Sequence, residues 1–351
     1  MRCVESERIR EVVHERNRVL LSFPSAFTFE KVLHGCGAQN LVIATDVGPR
    51  CLSFEATPTE LRAICSRLNL ELSSEERTHS RALVLPAGDE PTLSEYLATL
   101  SIAQLVAVVD GLRLVELIEN DRLFSALQPI YRPDRTLYGH EALLRGRELD
   151  GTVIPAAPLL AAAAETQLLS AVDMAARRLA LETHARAGAG AIFVNFDPSG
   201  IDDPADCLRD TVACVGELGL RPDDVVFEVT ESGAVRDRDH LRGILRYYRD
   251  AGFRVALDDV GAGFAGLSML LEVQPDVIKI DMALIRGIDR DRYRQSVVGH
   301  LIGIARDVGA LSVAEGIETE AEMDWVVGAG IDLLQGFLLG RPFLPDGGAR
   351  A

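Results

Sequence analysis

The run Val255-Ala256-Leu257-Asp258-Asp259-Val260-Gly261-Ala262-Gly263 decides how this chain is read. A short apolar strand ends in two adjacent carboxylates and then in glycines, which places hard oxygen donors at a strand end where a loop can fold around an ion. Twenty residues beyond Asp259 lies Val277-Ile278-Lys279-Ile280-Asp281, an apolar strand with a lysine and an aspartate on one alternating face. Lysine is rare here: of 36 basic residues only Lys31 and Lys279 are lysines. Arginine stays charged, whereas a buried lysine near metal ions can surrender its proton and act as a base, so its placement in an apolar strand suggests chemistry.

Outward from this pair the pattern is regular. Apolar strands are expected at 191–194, 225–229, 255–257, 277–280, 312–314 and 333–334, with helices at 159–185, 205–218, 237–251, 293–308 and 321–329. Strands alternating with helices imply a parallel sheet covered by helices. With seven or eight repeats, a closed TIM-like (β/α)8 barrel is favoured over an open sheet, and no GxGxxG follows the first strand, which counts against a dinucleotide fold. Residues 1–119 differ in texture and read as a smaller α/β N-terminal domain, with 120–351 as the barrel. In that first part, residues 5–20 look helical, 41–44 and 82–85 are short strands, and Thr57-Pro58-Thr59-Glu60 starts a helix. Residues 93–126 carry an apolar stripe at helical spacing, expected as one long connector helix that either pairs with a second copy or packs on its own domain.

Bulk properties bound the function. The chain has 351 residues, 48% of them hydrophobic and 25% charged, with a formal charge of −17. That balance argues against binding to a nucleic-acid polymer, which needs basic patches, but a metal can invert the local charge of an acidic site and admit a small anion. The charged N-terminus and the lack of an apolar run of spanning length lead us to expect no membrane insertion and a cytoplasmic protein. Six cysteines without CxxC spacing read as reduced thiols.

The strand ends of a barrel share one mouth. Here they present Glu141, Asn195, Glu228 with Glu231, Asp258 with Asp259, Lys279 with Asp281, Glu315 with Glu318, and Gln335. Carboxylates with one asparagine, one lysine and no histidine favour Mg²⁺ or Mn²⁺ over zinc, and so many acids suit two ions. Two hard cations beside a lysine are machinery for attack of water on a phosphate ester.

At this point the sequence resembles a known family. Glu141-Ala142-Leu143-Leu144-Arg145 is the signature of EAL domains. It stands in order with Gln128-Pro129-Ile130, Val194-Asn195, Phe227-Glu228-Val229-Thr230-Glu231-Ser232, Leu257-Asp258-Asp259, Lys279-Ile280-Asp281, Ala314-Glu315-Gly316-Ile317-Glu318-Thr319 and Gln335-Gly336. The resemblance covers about two thirds of the chain. It implies a TIM-like barrel that hydrolyses cyclic di-GMP to linear pGpG with two Mg²⁺ or Mn²⁺ ions. It further implies that Glu141, Asn195, Glu228 and Asp258 hold one ion, and that Asp258, Asp259 and Glu315 hold the second. Lys279 would orient or deprotonate the water. Gln128 and Arg145 would meet the nucleotide and a phosphate, Asp281 and Gln335 would support the substrate side of the site, and Glu231 and Glu318 would support its loops. Val260, Ala262 and Ala265 depart from the bulkier or hydroxylated residues of many members, but no ligand position is lost. The alternative is a non-catalytic cyclic di-GMP receptor or scaffold on the same barrel. No GG[DE]EF-like motif is found in the first 120 residues, so these are expected to sense a signal or dimerise; a homodimer is expected by fold-level analogy.

Overall fold

The computed structural model describes residues 12–36, 43–45, 47–166, 168–188, 190–198, 201, 204–230, 238–261 and 266–345. Two compact units divide them: the described part of Met1–Arg122 with Ala157–Val172, and that of Leu123–Ala156 with Asp173–Ala351.

In the first unit, strands β1 (Asn17–Ser22), β2 (Cys51–Ala56), β3 (Arg81–Pro86) and β4 (Leu100–Ser101) form an antiparallel sheet in the order β2-β1-β3-β4. Residues 17–20, expected as helix, belong to β1, because Asn17-Arg18-Val19-Leu20-Leu21-Ser22 alternates Val19 and Leu21 inward with Arg18 and Ser22 outward. Residues 5–11 of that expected helix, and 41–42 of an expected strand, lie outside the described residues; Ala44 makes only an isolated bridge to Ser53. Helix α1 (Ala26–Cys36) follows β1, and α2 (Pro58–Glu71) starts as its sequence implies, with Thr57 and Glu60 closing a capping box. A short helix α3 (Ser74–His79) leads into β3. The expected continuous helix over 93–126 is broken. It resolves into α4 (Leu93–Leu97), β4 and α5 (Ile102–Glu119), because Ser101 caps a new helix by accepting from Gln104 N, and Gln104 returns a bond to Ser101 N. Residues 123–126 are already strand. Val19, Leu21, Leu52, Phe54, Ile64 and Leu105 are among the side chains of this unit's core.

The second unit is a closed eight-stranded barrel. Its strands are β5 (Leu123–Tyr131), β6 (Leu137–Arg147), β8 (Ala191–Asn195), β9 (Val225–Thr230), β10 (Arg254–Val260), β11 (Val277–Ile280), β12 (Leu311–Ala314) and β13 (Leu333–Leu334). The ring runs β5-β13-β12-β11-β10-β9-β8-β6 and closes through β5–β6, while β7 (Val153–Pro155) pairs with β6 outside it. All neighbours are parallel except β5, which is antiparallel to β6 and β13. The hairpin joining β5 to β6 explains why the βα spacing rule did not mark these two strands: a tight turn replaces the crossover helix. Glu141 consequently lies in the middle of β6 rather than at a strand end, since β6 runs on to pair with β7.

Helices α7 (Leu169–Ala187), α8 (Pro204–Glu217), α9 (Arg238–Asp250), α10 (Gly266–Val273), α11 (Met282–Ile285), α12 (Arg292–Val308) and α13 (Glu320–Ala329) belong to the barrel unit, apart from the first residues of α7. The helix expected over 159–185 is two, α6 (Ala156–Glu165) and α7. Between barrel and helices sits the main core, where Phe227 stacks on Tyr248 at 4.1 Å and meets Phe196 and Phe253 edge-on. Inside the barrel, Ile130, Ala191, Phe193, Val226, Ala256, Val277, Val313 and Leu333 form a separate apolar plug.

That plug dictates the site. Side chains on a strand alternate faces, so the residue two places toward the mouth also points into the lumen, one layer up. From Phe193, Val226, Ala256, Val277, Val313 and Leu333 those residues are Asn195, Glu228, Asp258, Lys279, Glu315 and Gln335; from Ile130 on the reversed β5 it is Gln128. Truncating Phe227, which has no exposed surface, is expected to cost about 3–5 kcal/mol. Chemical denaturation of Phe227→Ala beside the parent protein checks this.

Candidate functional site

The polar layer above the plug converges on one ammonium. Lys279 is fully buried, and its Nζ lies 2.7 Å from Glu228 Oε1, 2.8 Å from Glu315 Oε1, 3.0 Å from Asp258 Oδ1 and 3.6 Å from Glu141 Oε2. Burial opposes its charge, but Asp258, Glu141, Glu228 and Glu315 together outweigh that and hold the ammonium well above the ordinary lysine range. The carboxylates show the reverse balance. Burial raises Glu228 and Glu315 well above the usual carboxylate range although Lys279 pulls the other way, and burial with the neighbouring Asp258 raises Asp259 to about 6. One lysine does not neutralise this many acids.

Local structure sets the donors. The β10–β11 pairing shifts register between Leu257 and Val260, and Asp259 takes a left-handed conformation with φ 56°. Few side chains tolerate that conformation; aspartate is one of them. Asp259 N donates to Asp258 Oδ1 at 3.0 Å, and the break in strand alternation brings the Asp259 carboxylate to the same side as that of Asp258. Oxygens of Asp258, Asp259 and Glu315 lie within 4.8 Å of one another, close enough to share a cation. On the other side Gln335 Nε2 donates to Glu141 Oε2 at 2.6 Å and Asn195 Nδ2 to Glu141 Oε1 at 3.3 Å. Glu228 Oε2 is buried without a hydrogen-bond partner, and Oε1 meets the Nζ of Lys279 at 2.7 Å. A buried carboxylate oxygen without a donor in an all-oxygen set is what a hard divalent cation would satisfy, so these residues fit such an ion.

Two glycines let α11 approach the backbone beside this cage. Gly316, with φ 65°, follows Glu315, and a Cβ there would lie 2.3 Å from Met282 Cβ. Gly261, with φ 104°, follows the aspartates, and its Cβ would lie 2.3 Å from Leu284 Cδ1. Both α11 side chains thus press on backbone beside the donors.

The structure brings together Glu141, Asn195, Glu228, Asp258, Asp259, Lys279, Glu315 and Gln335. Other predicted site residues stand apart. Gln128 pairs with Glu141 across β5–β6 and donates to Gly340 O at 3.3 Å. Arg145 is half-buried further along β6, with Nη1 on the carbonyl of Leu144; burial lowers its pKa from the ordinary value while Glu141 opposes that. The Asp281 carboxylate caps α11 by accepting from Ala283 N. Glu318 is exposed and pairs with Arg286 at 2.5 Å. Glu231 lies outside the described residues. A residue missed in the sequence is Glu322, buried on α13, which accepts from the backbone N–H of Gly287, Glu318 and Thr319 and so ties down the loop after Glu315. The Thr319-x-x-Glu322 capping box was the available signal.

An eight-stranded barrel with an acid cage and one buried lysine at its mouth defines the class, and comparison with known proteins gives the family. The EAL domain description matches residues 112–342. The Escherichia coli "Cyclic di-GMP phosphodiesterase PdeF" is 30% identical over 234 residues, 66% of this chain and 31% of that protein. A standalone EAL protein from Vibrio cholerae O395, solved bound to c-di-GMP, superposes with TM-score 0.58 at 31% identity over 64% of this chain and 93% of that one. The Klebsiella pneumoniae BlrP1 calcium/cy-diGMP complex superposes with TM-score 0.58 at 25% identity over 94% of this chain and 97% of that one. The chain belongs to the EAL-domain family. It spans about a third of the length of PdeF, and no helix among its described residues is long and apolar enough to cross a membrane.

Asp259 supplies a pH test. A cation competes with protons for a carboxylate, so a donor raised to about 6 is available above that pH and increasingly blocked below it. Calorimetric titration of the full chain with Mn²⁺ is expected to give weaker binding at pH 5.5 than at pH 7.5, and Asp259→Asn to weaken binding at both.

Proposed function

We propose that this chain is a metal-dependent phosphodiesterase that hydrolyses cyclic di-GMP to linear pGpG, under the influence of its N-terminal residues 1–119. The observation that carries this is the retention of Lys279 inside a full set of oxygen donors. Glu141, Glu228, Asp258 and Glu315 face one ammonium with Asp259 beside Asp258 and Glu315, more acids than one lysine balances, and divalent cations would relieve that imbalance. Mg²⁺ or Mn²⁺ is the choice an oxygen-only set favours.

Glu141, Asn195, Glu228 and Asp258 would hold one ion, and Asp258, Asp259 and Glu315 the other. Bound there, the cations would make water acidic and stabilise negative charge on the phosphoryl oxygens. Lys279 would orient or deprotonate the attacking water, the second role requiring that cations rather than the ammonium balance the acids. Gln335 and Asn195 fix the Glu141 carboxylate through its two oxygens. Arg145 would meet a phosphate, with Gln128 alongside the nucleotide; Asp281 and the loop residues Glu231 and Glu318 act in support. The relatives solved with cyclic di-GMP support that substrate. A homodimer in the cytoplasm is the setting we assign.

Purified full chain with Mg²⁺ or Mn²⁺ is expected to convert cyclic di-GMP to pGpG, followed chromatographically, with activity lost in EDTA. Lys279→Ala is expected to lower kcat by about 10²–10⁴-fold. Tight nucleotide binding by the parent protein without turnover under any divalent metal would instead identify a receptor.

A further inference from the structure

Asn195 is loosely held: its side chain is exposed and makes one long bond, to Glu141. Its aim therefore depends on the backbone at the end of β8, and that backbone is gripped from below. Phe196 N donates to Glu228 O at 3.1 Å, and the Phe196 ring stands edge-on to Tyr248 at 5.2 Å and to Phe227 at 6.1 Å. One residue on, Asp197 N donates to Asp173 Oδ1 at 3.2 Å. Asp173 lies in α7 and is almost wholly buried. Its Oδ2 sits 3.0 Å from Nη2 of Arg177, one helical turn later and 2% exposed. Arg177 Nη1 in turn donates to Thr211 Oγ1 of α8 at 3.2 Å and to the hydroxyl of Tyr248 of α9 at 3.4 Å.

A buried ion pair adds little stability over apolar residues of similar size, so stability alone does not account for this one. What it does uniquely is hold an ionised acceptor against the amide two residues past Asn195. We propose that Asp173, held in place by Arg177, is a positioning residue that aims Asn195 at its cation. The proposal rests on reading Asn195 as a metal ligand, and it adds a residue that neither the motifs nor the cage includes.

The test is titration of the full chain with Mn²⁺ in the absence of nucleotide, together with hydrogen exchange over residues 193–198. Asp173→Ala is expected to weaken Mn²⁺ binding by about 10–100-fold, the range seen when residues behind a metal ligand are removed. Asp173→Asn retains the oxygen acceptor and is expected to keep most of the affinity. The double variant Asp173→Leu/Arg177→Met replaces the ion pair with apolar side chains, so it separates folding from positioning. It is expected to melt near the parent temperature yet bind Mn²⁺ as weakly as Asp173→Ala and exchange faster over 193–198. A folded double variant with parental Mn²⁺ affinity and exchange overturns the proposal, as does Asp173→Asn losing as much affinity as Asp173→Ala. A parent protein that binds Mn²⁺ but does not hydrolyse cyclic di-GMP would sink the phosphodiesterase reading and leave this one standing.

Discussion

The structure of the barrel mouth turns on one ammonium among carboxylates it cannot neutralise. Lys279 has no exposed surface and touches Glu228, Glu315, Asp258 and Glu141 within 3.6 Å. Removing several like charges from water is costly, and each acid would repel the others without a counter-charge. The ammonium offsets only part of that cost: the acids hold its proton firmly, while burial still raises Glu228 and Glu315 well above the usual carboxylate range. A site with this residual imbalance fits a hard cation.

The same cage explains the layering of the fold. An apolar plug of small and branched residues fills the barrel floor, and the next residue on the same face of each strand carries the polar group. The plug keeps water from one end and forces the acids toward the other. A lysine is suited to this layer because its stem lies along apolar surface while its head reaches the donors. The reversal of β5 adds Gln128 to this layer from a strand running the opposite way.

Other features only make sense as ways of holding the donors apart from ordinary strand geometry. Asp259 accepts a left-handed backbone, a cost of about 1–3 kcal/mol, so that its carboxylate lies on the same side as that of Asp258. Gly316 and Gly261 admit α11 against the backbone beside Glu315 and the paired aspartates, and Glu322 ties three amides around the next turn. These are departures from regular structure concentrated where the charges are, and the aromatic stack of Phe227, Tyr248, Phe196 and Phe253 lies directly behind them.

Much of this was legible in the chain itself. Continuous apolar runs between helical stretches marked β8 to β13, and the lone lysine in an apolar strand marked the centre of the cage, because apolar runs and burial chemistry act within a few residues. Local rules failed where the deciding partner is distant or where two helix starts follow each other closely. Residues 17–20 became a strand through pairing with Phe54, Ser53 and the 80s, and Ser101 split a stripe that reads as a single helix. The mid-strand place of Glu141 follows from β6 pairing with β7, and the displacement of Asp281 and Glu318 from the cage follows from a helix cap and an ion pair with Arg286. Asp173 and Arg177 carried no local signal, since the amide that Asp173 holds lies 24 residues away. The sequence alone determined which residue types face the lumen, because side-chain alternation is a property of the strand. Only the tertiary structure decided which of them meet, because barrel closure sets the distances between strands.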